Sequence, residues 1–286
     1  MLVKRINVFI LFLIPILVAI TAIFIFPLAY TFYLSFFDFK PGTGSVYVGT
    51  GNFEFLFGEE EFLLTIARTF AYMIGVVVVN FILGFGLAML TYKPFRGVSI
   101  IRTIIITPML FIPAAASVIW AMMFQPEVGL INHILEYVGI GRIAFLGKSD
   151  TAMLSVMFVD IWGWTPFVYL ILTAGLQSLP NEPFESAELD GASSIQTLRY
   201  VTLPMLRPII LIAFLIKAID TFRAFDYVWI MTRGGPGYAS MILAALAYRT
   251  AFIEVHFGRS SAIAVVFFVL SLILTALIIY YYTRRE

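Results

Sequence analysis

The chain has 286 residues, 61% of them apolar and 12% charged, a mean hydropathy of +0.98 and a formal net charge of +1. A soluble domain carries about a quarter charged residues, so most of this surface must meet lipid, and length is better counted in crossings of about 20 apolar residues, of which roughly six fit. The near-neutral balance supplies no basic face for nucleic acid. The absence of cysteine excludes a disulfide framework, a thiol nucleophile and a thiolate metal site.

In chain order, the first apolar run covers residues 6–37 behind Lys4 and Arg5. It is too long for the apolar stretch of a signal peptide, about 7 to 15 residues, and spans a bilayer even with Pro15 and Pro27 bending it. Uncharged stretches at 69–92, 103–126 and 260–283 predict helices 2, 3 and 6. Residues 151–178 are apolar apart from Asp160. Residues 205–231 are apolar apart from Arg207, Lys217, Asp220, Arg223 and Asp226; these two stretches predict helices 4 and 5.

Orientation follows the bias of Lys and Arg toward cytoplasmic loops. With the N-terminus inside, Lys4, Arg5, Lys93, Arg96, Arg102, Arg199, Arg207, Arg284 and Arg285 lie inside, and the outer loops carry fewer basic residues over greater length. Both termini are therefore expected in the cytoplasm. Five or seven crossings would place Arg284 and Arg285 outside, against that bias.

Between helices 4 and 5 the cytoplasmic stretch 181–204 opens with Asn181, suited to cap a helix whose first turns carry Glu185 and Glu188. Phe184, Ala187, Gly191, Ile195 and Leu198 recur at helical spacing as an apolar stripe. The expected form is a short helix, a turn at Asp190 and Gly191, and a second short helix ending before Leu203 and Pro204. A stripe alone would suit a hairpin lying on the membrane surface.

The full pattern resembles the EAA motif of ABC importer permeases: Glu185, Ser186, Ala187, then Asp190, Gly191, Ala192, then Leu203 and Pro204. Ser186 stands where that family usually has alanine. The segment TRGGP at 232–236, followed by Tyr248, Ala251, Phe252 and Gly258, is similar to the carbohydrate-uptake, maltose-type branch of the family. The resemblance covers nearly the whole chain and implies an all-α, six-helix type I importer permease in the cytoplasmic (inner) membrane of a bacterium or archaeon, folded as one transmembrane domain. It also implies a second, different permease subunit and two ATP-binding cassette subunits that use ATP and Mg. An extracytoplasmic solute-binding protein would dock on the outer loops 38–62 and 126–150. In such permeases the EAA helix inserts into a cleft of the ATPase, whose closure swings the membrane helices from inward- to outward-facing. By position, Glu185 would pair with a basic residue of the ATPase and Gly191 would allow close packing.

The segment GRIAFLGKS at 141–149 resembles a phosphate-binding loop but has one residue too many between its key glycines. No strand precedes it, and it falls outside, so the energy source must be another subunit and this chain is not expected to be catalytic. His133 and His256 are too isolated for a metal site.

Ionisable residues inside helices are costly in lipid and turn toward protein or water. Asp160, Lys217, Asp220, Arg223 and Asp226 are such residues. Spacing of three lets Lys217 pair with Asp220, and Arg223 with Asp220 or Asp226, as a charge ladder between helices. Asp160, Trp164, Lys217, Asp220 and Arg223 equally suit a path for a sugar or oligosaccharide, in which charged groups hydrogen-bond hydroxyls and an aromatic face covers the ring, and a glycerol-phosphate-type cargo stays open beside it. Trp162 and Trp164 also fit simple packing roles, and Asn80 and Arg68 fit hydrogen bonding between helices or at the interface. An ion-coupled secondary transporter is the alternative class, but the chain shows no inverted repeat and that class leaves the cytoplasmic loop unexplained. An intramembrane enzyme lacks a paired-histidine metal motif and a serine elbow.

Overall fold

The computed structural model describes residues 13–42 and 44–283. The start of predicted helix 1 at Ile6 and the basic residues Lys4, Arg5, Arg284 and Arg285 lie outside the described residues. Helix α1 (Leu13–Leu34) leads into strands β1 (Phe37–Lys40) and β2 (Gly44–Tyr47), then α2 (Gly51–Gly58) and α3 (Glu60–Thr91). There follow α4 (Val98–Ile106), α5 (Pro113–Met123), α6 (Leu130–Tyr137), α7 (Ser149–Ser178), α8 (Glu182–Leu189) and α9 (Ser194–Thr197). The chain ends through α10 (Leu203–Phe222), α11 (Asp226–Thr232), α12 (Leu243–Phe252) and α13 (Phe257–Thr283). Among the described residues five helical stretches are long and apolar enough to cross a membrane, and the pair formed by α4 and α5 supplies a sixth if counted as one span.

Prolines explain where the helices depart from the sequence-based expectation. Predicted helix 3, residues 103–126, is two arms bent by 97°. Pro108 opens a single 3-10 turn at Thr107–Leu110, and Ile112, which precedes Pro113, is extended at φ −64° and ψ 143°. The residue before a proline is sterically pushed out of the helical region, so the span must break there. Two other prolines are accommodated by π turns. Thr21–Ile25 precedes Pro27 and Leu198–Thr202 precedes Pro204, each closed by a bond from a residue to the carbonyl five back. The wider turn absorbs the proline, which has no N–H to give and clashes with the carbonyl four back. Predicted helix 5 breaks at residues 223–225, and predicted helix 2 starts earlier, at Glu60, where Glu60 and Glu61 favour a helix N-terminus.

The chain forms two compact units. The first comprises Met1–Leu63 and Leu246–Leu270. Its hairpin, pairing Phe37 with Tyr47 and Lys40 with Gly44, corrects the all-α expectation: it takes Phe37 from the end of predicted helix 1 and lies at the start of the predicted outer loop 38–62. Asn52 donates to the carbonyls of Ser35 (2.8 Å) and Phe37 (2.9 Å), fixing the hairpin to the end of α1. Gly258 is glycine because a Cβ there would lie 2.0 Å from the Phe37 carbonyl oxygen. The His256 imidazole beside them is held below its usual pKa by burial first, then by Arg259 and Lys40, against Asp38 and Glu254.

The second unit, Leu64–Ala245 with Ser271–Glu286, holds the buried cluster Ala88, Val168, Tyr169, Leu172, Leu176 and Leu206 from α3, α7 and α10. Lipid tails are as apolar as leucine, so close packing and interhelical hydrogen bonds hold such helices together. Thr165 donates to Asn80 Oδ1 at 2.8 Å, and Thr91 and Tyr169 share a bond of 2.9 Å. At Gly84 a Cβ would meet Val168 at 2.9 Å and the Tyr169 amide nitrogen at 3.1 Å, so α3 and α7 approach backbone to side chain. Gly84→Ala should lower the thermal midpoint of the solubilised protein through overpacking of about 1–3 kcal/mol. Gly86→Ala, on the same helix with nothing within 4 Å, should not. Equal midpoints for the two variants would refute this packing.

Candidate functional site

Within the second unit, α3, α7 and α10 bring together Tyr72, Asp160 and Lys217. The Lys217 ammonium donates to Asp160 Oδ1 at 3.1 Å, and the Tyr72 hydroxyl donates to Asp160 Oδ2 at 2.7 Å. All three residues are 1% exposed, and the carboxylate is held by one partner on each oxygen. Lys217 also lies 3.8 Å from Asp220 Oδ2 and 4.8 Å from the centre of the Trp164 ring, a cation over an aromatic face.

The expected Lys217–Asp220 rung along helix 5 is present, but a closer pair between helices is added at its inner end. The main partner of Lys217 is Asp160 on α7, with Asp220 second. The expected pairing of Arg223 with Asp220 or Asp226 is absent: among the described residues Arg223 makes no ion pair. The reason is local. Helix α10 ends at Phe222, Arg223 is its C-cap, and α11 starts only at Asp226, so three-residue spacing no longer places side chains side by side. Tyr72 and Tyr227 escaped sequence reading, because tyrosines among 14 in an aromatic-rich chain carry no distinguishing pattern.

The helix break opens a cavity of ≈ 380 Å³ lined by Asp160, Trp164, Asp220, Arg223, Asp226 and Tyr227, together with Pro113, Ala224 and Phe225. A neighbouring cleft of ≈ 390 Å³ shares Trp164, Asp220 and Arg223 and adds Lys217 and Phe167. All five sequence-predicted path residues thus line one or both spaces. Trp164 offers less free ring than expected, since the Lys217 ammonium takes one face and Phe167 stands edge-on at 5.9 Å. Trp162 packs against Phe111 and Trp120 and is a packing aromatic.

The second candidate site is the stretch between α7 and α10. Asn181 stands at the N-cap of α8, but its carbonyl rather than its side chain accepts there, from Phe184 and Glu185 at 2.9 and 3.0 Å. Helix α8 ends in a turn where Ala192 N–H bonds to Ala187 O at 2.9 Å and Gly191 N–H to Glu188 O at 3.0 Å. This two-bond closure requires a left-handed residue, and Gly191 has φ +73°. Ser193 then caps α9 in a reciprocal box with Gln196. Helix α9 does not stop before Leu203 and Pro204 as expected, because the π turn at Leu198–Thr202 carries it into α10. Glu185, Ser186, Asp190 and Gly191 are exposed, Ala187 and Ala192 half-buried. Leu189 (89% exposed), Ile195 (76%) and Tyr200 (69%) stand free around them. The 141–149 segment forms no phosphate cradle: Arg142 pairs with Glu136 at 3.0 Å, and Asn132 binds the Ile143 backbone in both directions. The TRGGP segment is a knot of local bonds, with Thr232 and Ser240 hydroxyls 2.7 Å apart and Ser240 donating to Gly235 O.

Residues 80–286 match the family described as binding-protein-dependent transport system inner membrane component. The trehalose/maltose transport system permease protein MalF of Thermococcus litoralis is 31% identical over 93% of this chain and 90% of its own length. The sulfoquinovosyl glycerol transport system permease protein SmoG of Agrobacterium fabrum is 30% identical over 93% of this chain and 87% of its own. A permease-sized chain in the crystal structure of a bacterial ABC transporter importing the acidic polysaccharide alginate superposes with a TM-score of 0.87, covering 99% of this chain and 97% of that one, at 19% identity. This chain belongs to the family, as a membrane-embedded, non-catalytic permease of an ABC importer.

Replacing Lys217 alone should cost stability, because Asp160, 1% exposed, then keeps only Tyr72 as a partner. Lys217→Met is expected to destabilise by about 3–5 kcal/mol, and adding Asp160→Leu should return most of it. Thermal unfolding of both variants in the same detergent checks this. A double variant no better than the single would mean that the ion pair does not hold the three helices.

Proposed function

We propose that this permease carries a saccharide through the cavity at the α10–α11 break and receives its driving force at the exposed turn around Gly191. The observation that carries the cargo half is the position of Asp220, Arg223 and Asp226. They lie in a 39-residue stretch apolar enough to cross the membrane, Ser194–Thr232, yet Arg223 and Asp226 are exposed and Asp220 is only half-buried. Charges at membrane depth face a water-filled path or a protein partner rather than lipid. Carboxylates accept from sugar hydroxyls, the guanidinium donates to them, and Trp164, Phe225 and Tyr227 supply apolar surface. The named cargoes of the relatives, trehalose or maltose and sulfoquinovosyl glycerol, are sugars or sugar derivatives, which supports the same class.

The coupling half rests on the loop. Both termini and residues 181–204 are assigned to the cytoplasm from the distribution of basic residues. There Leu189, Ile195 and Tyr200 offer apolar contacts to one of two ATPase subunits that bind ATP and Mg, with Glu185 and Asp190 at the rim. Leu203 and Pro204 lie just beyond the π turn, where the docking segment joins α10. A second permease subunit completes the path, and a solute-binding protein delivers cargo to the outer face at 38–62 and 126–150. From Ser194 to Asp220 the helix is unbroken, about 39 Å at 1.5 Å per residue. A displacement of the docked end therefore reaches the cargo residues along one backbone.

Gly191→Asp forces an L side chain into the left-handed region at a cost of about 1–2 kcal/mol, and Glu185→Lys reverses a rim charge. Each should reduce co-purification of the ATPase while leaving the permease inserted, and full recovery of the ATPase with both variants would contradict the docking role. In proteoliposomes, sugar uptake should require ATP and the ATPase subunits. Uptake on an ion gradient without them would overturn the proposal.

A further inference from the structure

The charges around the cavity are unevenly available. Lys217 and Asp160 are 1% exposed and neutralise each other. What faces the open space is Asp220, whose side chain is 42% exposed, with Arg223 and Asp226, giving two carboxylates to one guanidinium. Lys217, the one other cation lining the two spaces, is committed to Asp160 and shielded beneath Trp164. A neutral polyol loses nothing by this, since it can donate to both carboxylates and accept from Arg223. A carboxylate-bearing sugar that reaches Arg223 must lie among acceptors that cannot donate to it, and like charges in a partly dry space repel strongly.

We infer that this permease selects uncharged saccharides and that Asp220 is the residue that rejects anionic ones. The inference rests on the proposal that the cavity lies on the cargo path. Asp220 is singled out because it lines both spaces and sits 3.8 Å from Lys217, so removing its charge also leaves that ammonium more available to an anion. Asp226 lies on the far side of the helix break and lines only the cavity at that break.

The test is binding of a paired sugar panel to the complete importer in nanodiscs, without the binding protein so that its own selectivity does not intervene. Neutral di- and trisaccharides are compared with uronates of the same length by calorimetry, for wild type and Asp220→Asn. Wild type should favour the neutral member of a pair by about tenfold or more, where tenfold corresponds to about 1.4 kcal/mol. In Asp220→Asn that ratio should shrink to within about threefold, chiefly by tighter uronate binding, and the residual preference should vanish as salt rises. Equal binding of uronates and neutral sugars by wild type would overturn the charge filter while leaving the cargo path intact. An unchanged ratio in Asp220→Asn would remove Asp220 from that role. A complex that binds no member of either class would remove the cargo path, and this inference with it.

Discussion

Everything in the membrane half of this chain turns on one carboxylate. Asp160 is buried among three helices, where Lys217 and Tyr72 each take one of its oxygens. Desolvating such a pair is costly, and its attraction repays that only when the remaining lone pairs are also satisfied. The pair therefore acts less as a source of stability than as a registry device. Sliding α10 along α7 by one turn would strand a charge in a dry interior, whereas sliding one leucine past another would cost little. In a bundle where lipid competes equally well for apolar side chains, that selectivity is what fixes the helices in one arrangement.

The same pair shapes the cavity beside it. Because Lys217 is held inward by Asp160 and covered by Trp164, its charge is not presented to the cavity, and Asp220 is left partly uncompensated at the wall. Had Lys217 paired only along its own helix, as a three-residue ladder would have it, Asp220 would be neutralised and the cavity would carry a different balance. Structural pairing and cargo chemistry are thus two consequences of one choice of partner.

Much of this was legible in the sequence. Long uncharged runs located the spans, and the loop pattern placed a turn at Gly191 where the backbone has φ +73°. The five path residues were recognised as charges and an indole out of place in lipid, and they do line adjoining spaces. What could not be read was any contact between distant segments. Asp160 and Lys217 are 57 residues apart, Tyr72 and Asp160 88 apart, and no local period encodes either meeting. The prolines were visible but their outcomes were not: Pro113 breaks a span, while Pro204 is absorbed by a π turn that keeps its helix whole. The difference depends on whether the preceding turn has room to widen, which is a property of packing.

That π turn lies between the stretch proposed for docking and the cavity proposed for cargo. On its N-terminal side lies the exposed turn around Gly191, and beyond it α10 runs unbroken to Lys217 and Asp220. Lys217 is anchored to α7 and, through Asp160, to Tyr72 on α3, so α10 cannot slide alone without breaking a buried ion pair. A push at Ser194 must then either move the three helices as a body or be taken up where the backbone is already wound off its usual period, at Leu198–Thr202. The first outcome carries the whole wall of the cavity with its charges in register. The second would dissipate the motion before it reached the cargo, and the buried side chains of Thr202 and Leu206 on either side of Leu203 and Pro204 oppose it by holding that end of the turn against its neighbours. If the loop docks as proposed, the anchoring of Lys217 is what makes it a lever.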